Sequence, residues 1–430
     1  MRSTPTTRFA LAAAILFFCL LGGAATSAEA GETGANVSPL RFSAYGTLSR
    51  SWDDRDDLSA IRDFTQRPDN GHRAGPSWLL DSRLGAQFGY RFGPRLDGVV
   101  QIVARDQIDN NFDAALELAH LAYQPHANYT LRFGRIGYDT FLMSDHRNLG
   151  YAYPWVRPPR EFYSWLPMFS LDGLDLTYAL PTDAALWRLR AQAGVSQYLI
   201  PMGNENFDFE TAPVYSLTLQ REAGPWRIKA GLSHLRSTNE SGPLVAFHAG
   251  LEAIAAAGIP GISAEAAHLR KETSFRNLDV DYVTLGAAYD DGTWIGQTEI
   301  ARSRTSTSIA TAGLIGYAAI GRRFGTLTPY AILSASRPGK ERLKPVSNWG
   351  LIGQAGLQTT AYHIVNSTRQ DQETFSLGVR WDFDTRAAMK LQWDHSRIHS
   401  HGYALWFRDM AANTRNSRAN LLTLSVDFVF

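Results

Sequence analysis

The last ten residues of the chain read LLTLSVDFVF and place Leu422, Leu424, Val426, Phe428 and Phe430 on one side of an extended backbone. Leu421, Thr423, Ser425, Asp427 and Val429 fall on the other. A period of two is the side-chain repeat of a β-strand, so this segment has one apolar and one mostly polar face. The pattern recurs. WLLDSRLGAQFGYRF sets Leu80, Leu84, Ala86, Phe88 and Tyr90 against Asp81, Arg83 and Gln87. WRLRAQAGV opposes Trp187, Leu189, Ala191, Ala193 and Val195 to Arg188, Arg190 and Gln192. TFSLGVRWDFD sets Phe375, Leu377, Val379, Trp381 and Phe383 against Thr374, Ser376, Arg380 and Asp382.

About 16 such pieces can be laid along the chain, an even strand number. They begin near residues 41, 78, 96, 114, 129, 171, 186, 213, 226, 279, 293, 312, 326, 372, 387 and 420. Their connections alternate between short and long. The short ones are 93–95, 125–128, 181–185, 222–224, 290–292, 324–325 and 384–386, rich in Gly, Pro, Asp and Asn as tight turns require. The long ones lie near 51–77, 106–113, 136–170, 197–212, 237–278, 303–311, 337–371 and 398–419. Tight turns on one edge and long loops on the other predict an all-β fold, a transmembrane antiparallel β-barrel. The aromatics Phe88, Tyr90, Phe92, Tyr178, Trp187, Trp226, Tyr289, Trp294, Trp381 and Phe383 crowd beside the short turns. Rings prefer the headgroup level, so one rim gains an aromatic girdle. A soluble sandwich would leave that clustering unexplained.

The N-terminus predicts export. Arg2 and Arg8 precede an apolar run from Phe9 to Leu21, and Ala28-Glu29-Ala30 supplies a small-x-small cleavage site. Residues 1–30 therefore read as a cleaved signal peptide, 31–40 as a short N-terminal segment and 41–430 as one barrel domain. The single cysteine, Cys19, goes with the signal, so no disulfide or thiolate site is expected in what remains. Loss of Arg2, Arg8 and Glu29 from totals of 42 basic and 41 acidic residues leaves a balanced charge, which gives no sign of nucleic-acid binding. Within the loop at 237–278, Leu244, Phe247, Leu251 and Ile254 form a helical apolar stripe.

Together with terminal Phe430, these features resemble the Gram-negative outer-membrane porin superfamily over nearly the whole mature chain. LAYQPHANYTLRFGR, Leu121 to Arg135, resembles that family's strand–turn–strand before its third loop. The resemblance implies short periplasmic turns, long extracellular loops and a third loop folded into the lumen. It also implies a homotrimer in contact with outer-membrane lipid and lipopolysaccharide. Phe428 and Phe430 would then be a terminal signal read by the barrel-insertion machinery. One departure is that PPREFYSW carries Glu161-Phe162 without the glycines usual in general porins.

A barrel of about 16 strands leaves a channel that side chains do not fill. Strand parity points Asp81, Arg83, Arg105, Arg132, Arg190, Lys229, Arg380 and Asp382 toward the lumen, with Asp394. The loop at 136–170, stiffened by Pro154, Pro158 and Pro159, adds Asp139, Asp145, His146, Arg147, Arg157, Arg160 and Glu161. Facing carboxylates and guanidiniums would set a transverse field there and pass small hydrophilic solutes, with a weak preference for anions. Tyr151, Tyr153, Trp155, Tyr163 and Trp165 either form a stacking track for ring-bearing solutes or wedge the loop against the wall. Two other readings stand beside the channel. A barrel hydrolase would place His and Ser two apart on one strand face, and no strand here does so. A structural or adhesive barrel would conduct nothing. His399 and His401 share a strand face, for which a solvated loop edge is the simpler account, and no metal or other cofactor is expected.

Overall fold

In the computed structural model, which describes residues 38–66, 76–108, 115–202, 205–310, 313–407 and 415–430, the alternating pieces become paired strands. The proposed signal peptide lies outside the described residues. Eighteen strands follow one another: β1 Leu40–Asp53, β2 Ser59–Ala60, β3 Arg83–Gly93, β4 Leu96–Arg105, β5 Leu116–His126, β6 Tyr129–Gly137, β7 Ser170–Pro181, β8 Leu186–Met202, β9 Glu205–Ala223, β10 Trp226–Ser237, β11 Asp279–Asp290, β12 Trp294–Thr305, β13 Gly313–Arg322, β14 Leu327–Pro338, β15 Gln370–Asp384, β16 Ala387–Tyr403, β17 Trp406–Phe407 and β18 Ser417–Val429. Sixteen of them close into an antiparallel barrel in which β1 pairs with both β3 and β18; β2 and β17 form a separate small sheet. The seam is completed by Phe430, whose amide donates to Ala44 O at 2.8 Å. Gly46 faces Phe428 across it, and a Cβ on Gly46 would overlap the Phe428 ring.

The outside of the barrel is apolar. Phe133 and Leu174 are 65% and 60% exposed, and Leu217, Leu232, Val283, Ile300, Leu333 and Leu377 continue the belt. A band of this extent is stable only against lipid. At the short-turn edge Trp226 meets Tyr289 and Tyr129 meets Tyr178, each at 4.8 Å between centroids, and Trp381 meets Phe383 at 5.5 Å. The girdle expected from the sequence is there. Among the described residues no helix is long and apolar enough to cross a membrane.

Three local expectations change. The segment 197–212 is not a long loop: β8 and β9 stay paired out to Met202 and Glu205. Pro201, Pro213 and the polar run between them resemble a loop, yet Phe207 and Phe209 alternate inward and are buried. The strand expected from residue 78 begins at Arg83, because Leu80 turns into a cluster with Leu58, Tyr403 and Trp406. His399 and His401 do not share a regular strand face, since His401 has φ 61° beside a register shift between β15 and β16. No group of three potential metal ligands gathers among the described residues.

The long loops at 238–278 and 339–369 build a helical cap. Ser241 Oγ accepts the Leu244 N–H to start the helix Gly242–Ala256. It is followed by Ile262–Glu272 and later Ala355–Ser367, around a core of Leu251, Leu269, Trp349, Ala361 and Val365. Glu265 ties the cap together. Its carboxylate accepts from the N–H groups of Val346 and Ser347 (3.1 Å each), from Trp349 Nε1 at 3.0 Å and Gln358 Nε2 at 3.1 Å, and from Tyr362 Oη. Burial opposes its ionisation, but these hydrogen bonds win and hold its pKa at about 2 instead of 4.5. A depressed folded pKa contributes stability that is present above about 4.5 and is lost as pH falls through about 2. Trp349 emission, isolated by subtracting Trp349→Phe, should therefore change between those limits, and Glu265→Gln should already show the acid-form signal at neutral pH. Emission that is flat across this range would leave Glu265 with no part in holding the cap.

Candidate functional site

Gly137 and Ser170 are direct cross-strand partners of β6 and β7, so a tight turn could join them. The chain instead sends 138–169 into the barrel. Local chemistry fixes its shape. Ser144 Oγ accepts the N–H groups of Thr140 and Phe141 at 3.1 and 2.9 Å, which turns the chain at once. Pro154, Pro158 and Pro159 hold φ and donate no hydrogen bond, and Pro159 opens the short helix Arg160–Tyr163.

The loop is fastened to strands around most of the lumen. On one side, Lys229 of β10 binds the Asp139 carboxylate and donates to Phe141 O at 2.8 Å. Arg190 of β8 reaches Asp139 at 3.4 Å and Asp145 at 3.2 Å. Glu299 of β12 accepts the Leu142 N–H at 2.8 Å and the hydroxyls of Tyr163 and Tyr317. Farther round, Glu161 accepts from Ser334 of β14 at 2.6 Å and from Gln372 and Thr374 of β15. Opposite, Arg157 grips Asp81 (Nη2 to Oδ2, 2.7 Å), Asp394 of β16 and Thr423 of β18. Lys390, fully buried on β16, donates to Gly150 O and Trp155 O at 2.7 and 2.9 Å and pairs with Asp427 at 2.9 Å. Gly150 is required there: a Cβ would overlap Asp427 Oδ1 and Thr47 Oγ1.

The seven charged or imidazole loop residues named from the sequence, together with Tyr153 and Trp155, thus lie in the lumen, and they separate into two groups. Asp139, Tyr153, Trp155, Arg157, Arg160 and Glu161 are buried in contacts that hold the loop. Arg160 donates to Ile61 O and Leu405 O at 3.2 Å and covers the Trp406 ring, bracing the outer loops. Asp145 and His146 instead line open space beside β3–β8, while Arg147 borders the same space but is buried against Phe169 and donates to Met168 O. Of the wall residues, Arg83 donates to Asn148 O and Tyr153 Oη, both at 2.6 Å. Arg380, next to Asp382, donates to Tyr151 O and Tyr153 O. Arg132 pairs with Asp175 at 2.8 Å. Arg105 pairs with Glu117 at 2.9 Å. Asp81 meets Arg157 from the segment just before β3. Tyr153, Trp155 and Tyr163 wedge the loop, with Trp155 edge-on to Tyr330 of β14 and stacked with Tyr153. No continuous aromatic track results.

Two polar cavities flank the loop along β3–β8. One, about 450 Å³, lies toward the short-turn edge between Gln87, Gln101, His120, Arg132, Arg190 and the loop's Asp145–Leu149. The other, about 520 Å³, lies toward the long loops, with Arg105, Arg135, Asp172, Ser196 and Asp208 in its wall. Glu117 and Phe169 line both. Here the Phe169 ring is clasped between two guanidiniums, Arg147 at 3.4 Å and Arg105 at 3.9 Å from its centroid. Burial lowers the Arg147 pKa to about 10, which still leaves it charged at neutral pH. Desolvation and Arg227 depress His146 to about 4 against the pull of Asp145, so that ring is neutral at pH 7. Glu117, Phe169, Lys390 and Glu299 were not found from the sequence. Period two would have put Lys390 beside Asp394 on the inner face; nothing in the pattern marks Phe169.

Among solved structures, OmpF of Salmonella typhi in complex with daunomycin is similar at 10% sequence identity and TM-score 0.51, over 91% of this chain and 97% of that one. An anion-selective porin from Comamonas acidovorans matches at 10% identity and TM-score 0.50, over 91% and 100%. The outer-membrane channel DcaP of Acinetobacter baumannii does so at 10% and 0.50, over 93% and 99%. No family model matches the chain, and no curated protein does. At such identity the likeness is one of architecture. This chain has the porin fold. Within that fold, the third loop lies inside the lumen as the resemblance implied.

Proposed function

We propose that the chain forms an outer-membrane channel for passive diffusion of small hydrophilic solutes and ions. The two polar cavities, which share Glu117 and Phe169 in their walls, carry this reading, because joined they would give a solvated route past the loop along one side of the barrel. Arg132, Arg147 and Arg190 outnumber Glu117 and Asp145 in the lower cavity, which favours anions weakly. The girdled apolar belt suits an outer membrane and its lipopolysaccharide. In this reading residues 1–30 direct export, the Phe428 and Phe430 end is read by the insertion machinery, and three copies assemble.

Purified protein in a planar bilayer should show discrete openings; none at all would end the channel reading. Under a KCl gradient, Arg147→Gln should shift the reversal potential toward cations, since a positive charge against Phe169, in the wall of both cavities, is lost. An unchanged potential would mean that ions do not pass Phe169. The loop's reach to nearly every strand favours a second reading, a structural barrel that conducts nothing, and the same bilayer measurement decides it. A hydrolase is not favoured by any group in the lumen described above.

A further inference from the structure

Above the loop, toward the long-loop edge, lies a third cavity of about 730 Å³ whose chemistry opposes that of the lumen. Trp165, Leu166 and Pro167 of the loop form part of its wall. The upper ends of β8–β11 add Tyr198, Ile200, Phe209 and Leu235. The cap closes it with Phe247, Phe275 and Ile364, and the last loop with Trp406. Among the described residues no Asp, Glu, Lys or Arg lines it; Gln66, Thr360, His363, Ser367 and Thr368 are its polar members. Beside the two cavities described above, which are lined by arginines and carboxylates, this is a separate environment.

We propose that this vestibule binds a compact, uncharged, ring-bearing apolar molecule. A charged solute would lose its hydration there with no partner in return. Rings on several sides offer edge and face contacts that a flexible chain uses less well. The volume falls within the range of small-molecule pockets, roughly 300–1,000 Å³. Binding rests on this cavity and not on conduction, so either idea can fail without the other.

The test is equilibrium binding of labelled 2-naphthol, neutral at pH 7, to the full chain in lipid nanodiscs, with empty discs subtracted. Saturable uptake is expected, unaffected by inositol. Ala310→Trp, which fills the cavity, and Ile364→Asp, which charges it, should each weaken binding at least roughly tenfold. Retention of heat-modifiable mobility on gels shows that the variants are folded. Uptake by wild type equal to that of empty discs overturns the proposal even if neither variant folds. So does binding that both folded variants leave intact, or saturable binding of dodecanol in place of naphthol, which would assign the space to an acyl chain.

Discussion

Replacing residues 138–169 by a short turn should raise single-channel conductance several-fold while leaving the barrel able to close. The strands themselves do not need the loop: Gly137 and Ser170 already face each other across the β6–β7 ladder. What the loop supplies is filling. Phe141, Trp155 and Phe162 pack against Tyr282, Tyr317 and Tyr330 on the inner wall, a core that in a soluble protein would lie between layers. Without it, water takes their place, and a barrel of about sixteen strands is wide enough to pass it freely. Wall charges such as Asp81, Lys229 and Lys390 would be solvated and not stranded, so stability should fall without collapse. Conductance equal to that of wild type would show that the loop does not obstruct the route.

The second large effect concerns one side chain. Arg157→Ala should lower the midpoint of urea unfolding and make the open current noisy. Its guanidinium is 4% exposed and stands between Asp81 and Asp394, at 0% and 6%. Removing it leaves two buried carboxylates without the guanidinium that is hydrogen-bonded to both. Breaking a buried pair this way costs about 3–5 kcal/mol where water cannot enter; flooding of the lumen would lower the figure. Lysine is a poor substitute, because one ammonium cannot span both carboxylates and Thr423 with a rigid fork. Replacing Asp81 by Asn in the same molecule should restore part of the loss by removing one of the two charges. A midpoint unmoved by Arg157→Ala would show that the loop is held elsewhere.

How much of this was legible beforehand follows from the range of each interaction. Side-chain alternation is local, so strand faces, the inward set from Arg83 to Asp382 and the parity of turns could be read from neighbours in the chain. The helix around Leu244–Ile254 was local too. The β8–β9 extension was hidden because Pro201 and Pro213 look like breakers, while the partner strand that keeps the segment extended is not visible in a short window. The loop's charges were found, but not what they do. Arg157 and Asp81 are 76 residues apart and Arg157 and Asp394 are 237 apart, so nothing nearby tells a strut from a filter. Closure of the barrel decides that.

That closure bears on the order in which the molecule assembles. Gly150 sits against Asp427 near the end of the chain and Thr47 near its start, and the Thr47 hydroxyl itself donates to Asp427. Arg157 likewise joins Asp81, Asp394 and Thr423. This half of the binding surface for the loop does not exist until the first and last strands meet. The loop is therefore latched on this side only when the barrel is shut, whereas its contacts with Arg190, Lys229 and Glu299 do not involve that seam.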